Sequence, residues 1–159
     1  MGARGVLDRL GSVIPGYRGY MERELRRSTD RVIRDVVVSR LGSVRQRVVR
    51  LIADHARAMR LDGLESLERA RRRLDLVMDQ VRHAPEGYSG FFDAVQITAA
   101  DLDTIHAHDA ALCDGVEALA ASLGALEAGD ASAFDPALEA FEEAVRVRRE
   151  RLRGVKSDA

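Results

Sequence analysis

Tryptophan is absent from this sequence, cysteine and lysine occur once each, and proline occurs three times. Each scarcity excludes something. With Cys113 the only thiol, no intrachain disulfide can form, and nothing points to an oxidising compartment. Seven tyrosines and phenylalanines in 159 residues leave the strand-favouring mixture thin, so a β-rich fold is not expected. No apolar run approaches the roughly 20 residues that a membrane span needs. The apolar positions near the N-terminus are interrupted by Arg4, Asp8, Arg9 and Gly11, so they do not read as a secretory signal. The expected location is the cytoplasm, with a membrane-peripheral position as the alternative. Phosphate-cradling loops of the Walker type, a Gly-x-Gly-x-x-Gly turn, a Gly-x-Ser-x-Gly elbow, a Cys-x-x-Cys pair and the Glu-x-x-His motif of di-iron bundles are all missing. The expectation is a protein that is not an enzyme and needs no metal or other cofactor.

Strong helix formers fill the space left by these absences. Alanine, leucine, arginine and glutamate recur over long stretches, and the prolines stand at positions 15, 85 and 136, which leaves room for long helices between them. Val6, Leu7, Leu10, Val13 and Ile14 share one face of a short amphipathic segment, 1–16, that Pro15-Gly16 ends. From about 18 to 60 the positions Val37, Leu41, Val44, Val48, Leu51, His55 and Ala58 alternate gaps of four and three, the spacing of a coiled-coil seam. Leu61-Asp62-Gly63 then reads as a helix stop, and a helix over about 65–83 carries Leu67, Ala70, Leu74, Val77 or Met78, and Val81. A short turn there makes an antiparallel hairpin, and an axis near residues 62 and 63 would bring His83 and Pro85 opposite Gly42.

Residues 84–98 read as a Gly-rich, aromatic loop. Thr98 and Asp101 open a helix over about 99–128, whose seam is Leu102, Ile105, Asp109, Leu112, Val116, Leu119, Leu123 and Leu126. Gly129 to Phe134 breaks the pattern. Asp135-Pro136 starts a last helix over about 136–153, with the seam Leu138, Phe141, Val145, Arg148 and Leu152, followed by a flexible tail, 154–159. The fold class is therefore an all-α antiparallel helical bundle in one domain, built on one long helix, with three shorter ones and the N-terminal segment.

Charge is segregated along the chain. Residues 1–73 hold 18 arginines against 9 acids, and residues 74–145 hold one arginine against 15 acids. Two halves of opposite sign attract each other when folded together, so self-complementation inside the bundle is the first reading and an exposed basic surface the second. The preference for arginine over lysine is what a GC-rich bacterial coding sequence produces, and it does not by itself signal phosphate recognition.

One polar group interrupts the best seam. Asp109 is expected to be a buried carboxylate that pairs with an arginine of the long basic helix and fixes register at some cost in stability. On that view Asp109→Leu keeps the helical fold and, if anything, raises the melting temperature. His106, His108, Asp109 and Cys113 invite a metal or nucleophile reading, but His106 and Cys113 are separated by about 10 Å along a helix axis, too far to share a proton or an ion. Further ligands would have to come from His55, His83 or another chain. The plainer roles are a small core residue for Cys113 and hydrogen-bonded or solvated histidines.

Gly16-Tyr17-Arg18-Gly19-Tyr20 recurs in form as Gly87-Tyr88-Ser89-Gly90-Phe91. Each stretch can plug a bundle end with rings, or present Tyr17, Tyr20, Tyr88, Phe91 and Phe92 to a partner. The stretch Ile14 to Arg27, with Gly87 to Val95, resembles a family of small bacterial helical proteins to which no activity is attached. The resemblance runs from about residue 6 to residue 128 and implies a helical fold alone. A weaker architectural likeness is to phage-shock-type membrane-stress proteins, from which the sequence departs in its Pro15-Gly16 break and its aromatic loop.

The function these readings favour is a non-catalytic interaction or assembly module that binds a protein partner or forms a homo-oligomer. The alternative is a peripheral membrane protein that inserts Val6, Leu7, Leu10, Val13 and Ile14 beside anionic headgroups. Nucleic acid is disfavoured as a partner, because Glu22, Glu24, Asp30 and Asp35 interrupt the basic positions and no recognition motif is present.

Overall fold

The computed structural model describes residues 26–84, 99–128, 130 and 132–157, with side chains for 31–84, 104, 106–128, 130 and 132–151. These residues form four helices, α1 (Arg26–Arg57), α2 (Leu64–Arg82), α3 (Ala99–Glu127) and α4 (Phe134–Ser157). The expected N-terminal segment, the expected start of the long helix before Arg26 and the expected loop over 85–98 lie outside the described residues.

Both ends of the α1–α2 turn use left-handed backbone. Met59, at φ 53, stands just past the end of α1, where the Arg60 amide closes on the His55 carbonyl at 2.9 Å and the Met59 amide on the Ala56 carbonyl at 3.1 Å. This is a Schellman-type stop, in which a residue at positive φ satisfies the last carbonyls of a helix. Gly63, at φ 80, does not end α1; it opens α2, and its carbonyl receives the Leu67 amide at 3.0 Å. Gly63 was expected to stop the first helix near residue 60. The stop comes at Arg57, and the turn that follows takes up residues 58–63.

That longer turn moves the hairpin register. Gly42 faces Met78, whose Cε lies 3.8 Å from where a Cβ on Gly42 would stand, and Arg45 pairs with Asp75. The expected opposition of Gly42 with His83 and Pro85 is corrected by about five residues. The α2 carbonyls near that end meet Arg34 instead: its Nη1 donates to the carbonyls of Ala84 at 2.8 Å and Arg82 at 3.3 Å. A buried guanidinium thus serves carbonyls that the helix leaves unbonded.

The helices pack as two antiparallel hairpins laid side by side. Within them α1 lies on α2 and α3 on α4; between them α1 lies on α3 and α2 on α4. Ion pairs fix the sense of the second kind of contact. Arg40 reaches Glu117 and Arg47 reaches Glu127, so residue numbers climb together and α1 and α3 run parallel. Around the bundle the order is α1, α2, α4, α3. Consecutive helices α2 and α3 therefore stand on a diagonal, and residues 85–98 connect two helices that do not pack together.

The dry interior follows the seams. Leu67, Ala70, Leu74, Val77 and Val81 of α2 are buried, as are Leu112, Val116, Leu119, Leu123 and Leu126 of α3. On α1 the buried row is Ile33, Val37, Leu41, Val44 and Val48; Leu51 and His55 are only partly covered and Ala58 is exposed. Each fully buried large aliphatic side chain contributes about 1.5–3 kcal/mol. α4 begins two residues earlier than expected and continues through Ser157, past the point where a tail was expected. Its earlier start brings Phe134 into the core with no exposed surface, extending the row Leu138, Phe141, Val145 by one more gap of four. Phe141 packs over Gly115 so closely that a Cβ there would stand 2.8 Å from the ring. Among the described residues no helix is long and apolar enough to cross a membrane.

Candidate functional site

Among the described residues, the charged ones inside the bundle are Arg34, Asp109 and Arg148. Asp109, fully buried, accepts a hydrogen bond at 3.0 Å from Nε of Arg148, whose side chain is 6% exposed. An arginine of the long basic helix was the expected partner; the 3.0 Å ion pair is made by α4. The two residues are the charged interruptions of two facing seams, and the antiparallel register that sets Gly115 on Phe141 also sets Asp109 beside Arg148.

This geometry reverses the expectation for Asp109→Leu. Arg148 keeps its charge in any folded protein, so replacing the carboxylate by leucine takes away the buried acceptor of its Nε. Destabilisation is the physical consequence.

His108 and Cys113 stand on either side of this pair along α3. Burial pushes the His108 imidazole below its ordinary range; the Asp109 carboxylate works against that shift, and Arg151 and Arg148 add to it. Burial also raises the Cys113 thiol to about 11, and the charge of Asp109 acts in the same direction. A thiol held protonated near neutral pH is a poor nucleophile. His55 and His83, the other candidate ligands, each bond through Nδ1 to the carbonyl four residues earlier in their own helices, Leu51 at 3.0 Å and Asp79 at 3.1 Å. Among the described residues no three His, Cys, Asp or Glu side chains are grouped so as to hold a metal ion.

Opposite charges meet where the hairpins join. Arg40–Glu117 and Arg47–Glu127 link α1 to α3, while Arg73 reaches both Glu142 and Asp135 of α4 from α2. The Glu142 hydrogen bond is the main reason that the Arg73 guanidinium is held above its ordinary range. Self-complementation, the first reading of the charge segregation, is thus present along both seams between hairpins. These pairs are partly exposed, and each contributes at most about 1 kcal/mol.

The outer surfaces differ from one hairpin to the other. Between α1 and α2 an open groove of about 390 Å³ is floored by Gly42 and Met78 and edged by Arg45, Gln46, Asp75, Asp79 and Arg82. The outward side of α3 carries Ala107, Ala111, Ala118, Ala121 and Ala125, spaced four, seven, three and four apart and opposite the leucine seam. Asp114 stands in the gap of seven, so this outward side is a row of small side chains with one carboxylate among them. The leucine row drew attention in the sequence; the alanine row was legible by the same spacing and was missed because alanine also reads as a neutral helix former. The aromatic candidates Tyr17, Tyr20, Tyr88, Phe91 and Phe92, and the membrane-facing candidates Val6, Leu7, Leu10, Val13 and Ile14, lie outside the described residues. No family model matches the chain, and no curated protein or solved structure matches it either.

Proposed function

We propose that the protein is a non-catalytic helical module for interaction and assembly, which binds a protein partner or a second copy of itself. The observation that carries this reading is the double character of α3. Its leucine face is consumed by the core, while its alanine face turns away from the bundle with small side chains that let another helix approach closely. The interior supports the same reading. Its buried carboxylate is engaged by a guanidinium, and its thiol is held protonated.

The test combines light scattering on the purified full chain with affinity purification from its own cells at low salt. A mass above that of one chain, or a specific partner that is lost when the α3 outer face is altered by Ala118→Arg, supports the proposal. A strict monomer that retains no partner overturns it.

A further inference from the structure

We infer that the outer face of the α1–α2 hairpin of one copy docks on the outer face of the α3–α4 hairpin of another, a head-to-tail contact between two different surfaces. The inference rests on the reading of the protein as an assembly module and names the partner as a second copy of this chain. Charge gives the first argument. Residues 26–84 hold 15 arginines against 8 acids, whereas residues 99–157 hold 6 basic residues against 12 acids. The ion pairs that join the hairpins lie along the two seams between them, so the outer faces keep their opposite signs. Arg50, Arg69 and Arg72 are exposed on the first hairpin, and Glu139, Glu143 and Glu150 on the second, where Arg146 bonds Glu143 and Glu150 and the group keeps an excess of two negative charges. α3 itself contains no lysine or arginine.

Side-chain size gives an independent argument. Leu76, 61% exposed, and Val49, 38% exposed, both belong to the basic hairpin. On α2 Leu76 follows Arg69 and Arg72 at helical spacing, on the side opposite Leu67, Leu74 and Val81. Among the described residues the acidic hairpin has no exposed large apolar side chain; it offers exposed Ala107, Ala111, Ala118, Ala121 and Ala140. Large side chains on one surface and small ones on the other are what ridges and grooves of packed helices require. Either face against its own copy would bring like charges together, which disfavours a two-fold dimer.

Two helices about 10 Å wide, in contact over some 30 Å, would cover roughly 600 Å² on each partner, or about 1,200 Å² in all, the lower end of what stable association needs. The contact should therefore be reversible, and it should weaken with salt as the screening length falls. Because the two surfaces differ, repetition yields a ring or an open filament.

Sedimentation velocity on the full chain tests this, with Leu76→Glu altering one face and Ala118→Arg the other; Ala121→Arg repeats the second alteration at a neighbouring exposed position. Far-UV circular dichroism establishes that each variant is folded. The parent chain is expected to grow beyond the monomer with concentration, and to do so less at about 1 M salt than at about 0.1 M. Each variant alone is expected to sediment as a monomer. An equimolar mixture of a Leu76 variant with an Ala118 variant is expected to form a dimer and stop there, because one intact surface of each kind remains. A parent that stays monomeric at every concentration, an oligomer that neither alteration weakens, or a mixture that stays monomeric overturns the inference. A monomeric parent that still retains a specific partner from its cells would sink the second-copy contact alone and leave the module reading standing.

Discussion

Removing the buried carboxylate should destabilise the protein, and removing the whole ion pair should not. In Asp109→Leu the Arg148 guanidinium, 6% exposed, keeps its charge and loses the carboxylate that accepts from its Nε. Breaking a buried pair from one side costs about 3–5 kcal/mol, a large share of the roughly 5–15 kcal/mol that a folded domain possesses. At about 2–4 °C per kcal/mol for a chain of this size, the melting temperature should fall by roughly 6–20 °C. Replacing both partners, as in Asp109→Leu with Arg148→Met, removes both desolvated charges and should give a protein as stable as the parent or up to about 4 kcal/mol more so. Urea unfolding of the parent, both single variants and the double variant, followed by far-UV circular dichroism, measures all four stabilities. If Asp109→Leu alone matches the parent, or if the double variant is no better than the weaker single one, the account of this pair is wrong. The same double variant addresses register. Should the pair fix which turn of α3 meets α4, its amide NMR spectrum will lose dispersion even though stability is retained.

Four further outcomes follow from local geometry. Met59→Gly places at φ 53 a residue that adopts this conformation without strain, and because Met59 is 87% exposed it loses little packing, so urea unfolding should show a gain of about 1 kcal/mol or less, and a clear loss would contradict the turn described. Gly115→Ala and Gly124→Ala should differ in sign: the first forces a methyl within 2.8 Å of the buried Phe141 ring and costs about 1–3 kcal/mol, which outweighs the gain in helix propensity, whereas the second meets nothing within 4 Å and gains about 1 kcal/mol; equal melting temperatures would refute the close approach. Because the folded-state Cys113 thiol is raised to about 11, its contribution is present below the unfolded thiol's range near 9 and is lost as pH rises towards 11, so stability should decline across that window in the parent and less so in Cys113→Ala. The His108 shift acts at the other end: a depressed imidazole contributes stability above its unfolded pKa that is lost on acidification, so His108→Gln should flatten the fall of melting temperature below about pH 6.5.

Much of the candidate site could be read in part before any coordinates. Asp109 stood out as the wrong residue in a row of leucines, and its burial follows from the row. Its partner also stood in view, because Arg148 occupies a place in the last seam, but two interruptions cannot be matched until the register between helices is known. Phe134 was passed over although it continues its seam by a gap of four, since the glycines and small residues before it read as a loop. Arg34 gave no signal of its own, because its role is to serve carbonyls 48 and 50 positions further along.

What the sequence alone determined about this protein is the helical class, the faces that go inward, the position of the odd carboxylate, and the opposite charge of the two halves. Those properties depend on side-chain chemistry repeated at helical spacing, which is local. Only the tertiary structure decided that α1 runs parallel to α3, that α2 and α3 stand on a diagonal, that Met78 faces Gly42, and that Arg148 answers Asp109. Seams built from the same leucines, valines and alanines can pair in several ways. The choice among them is settled by the residues spent in each turn, by close approaches such as Gly115 on Phe141, and by where unlike charges come within reach.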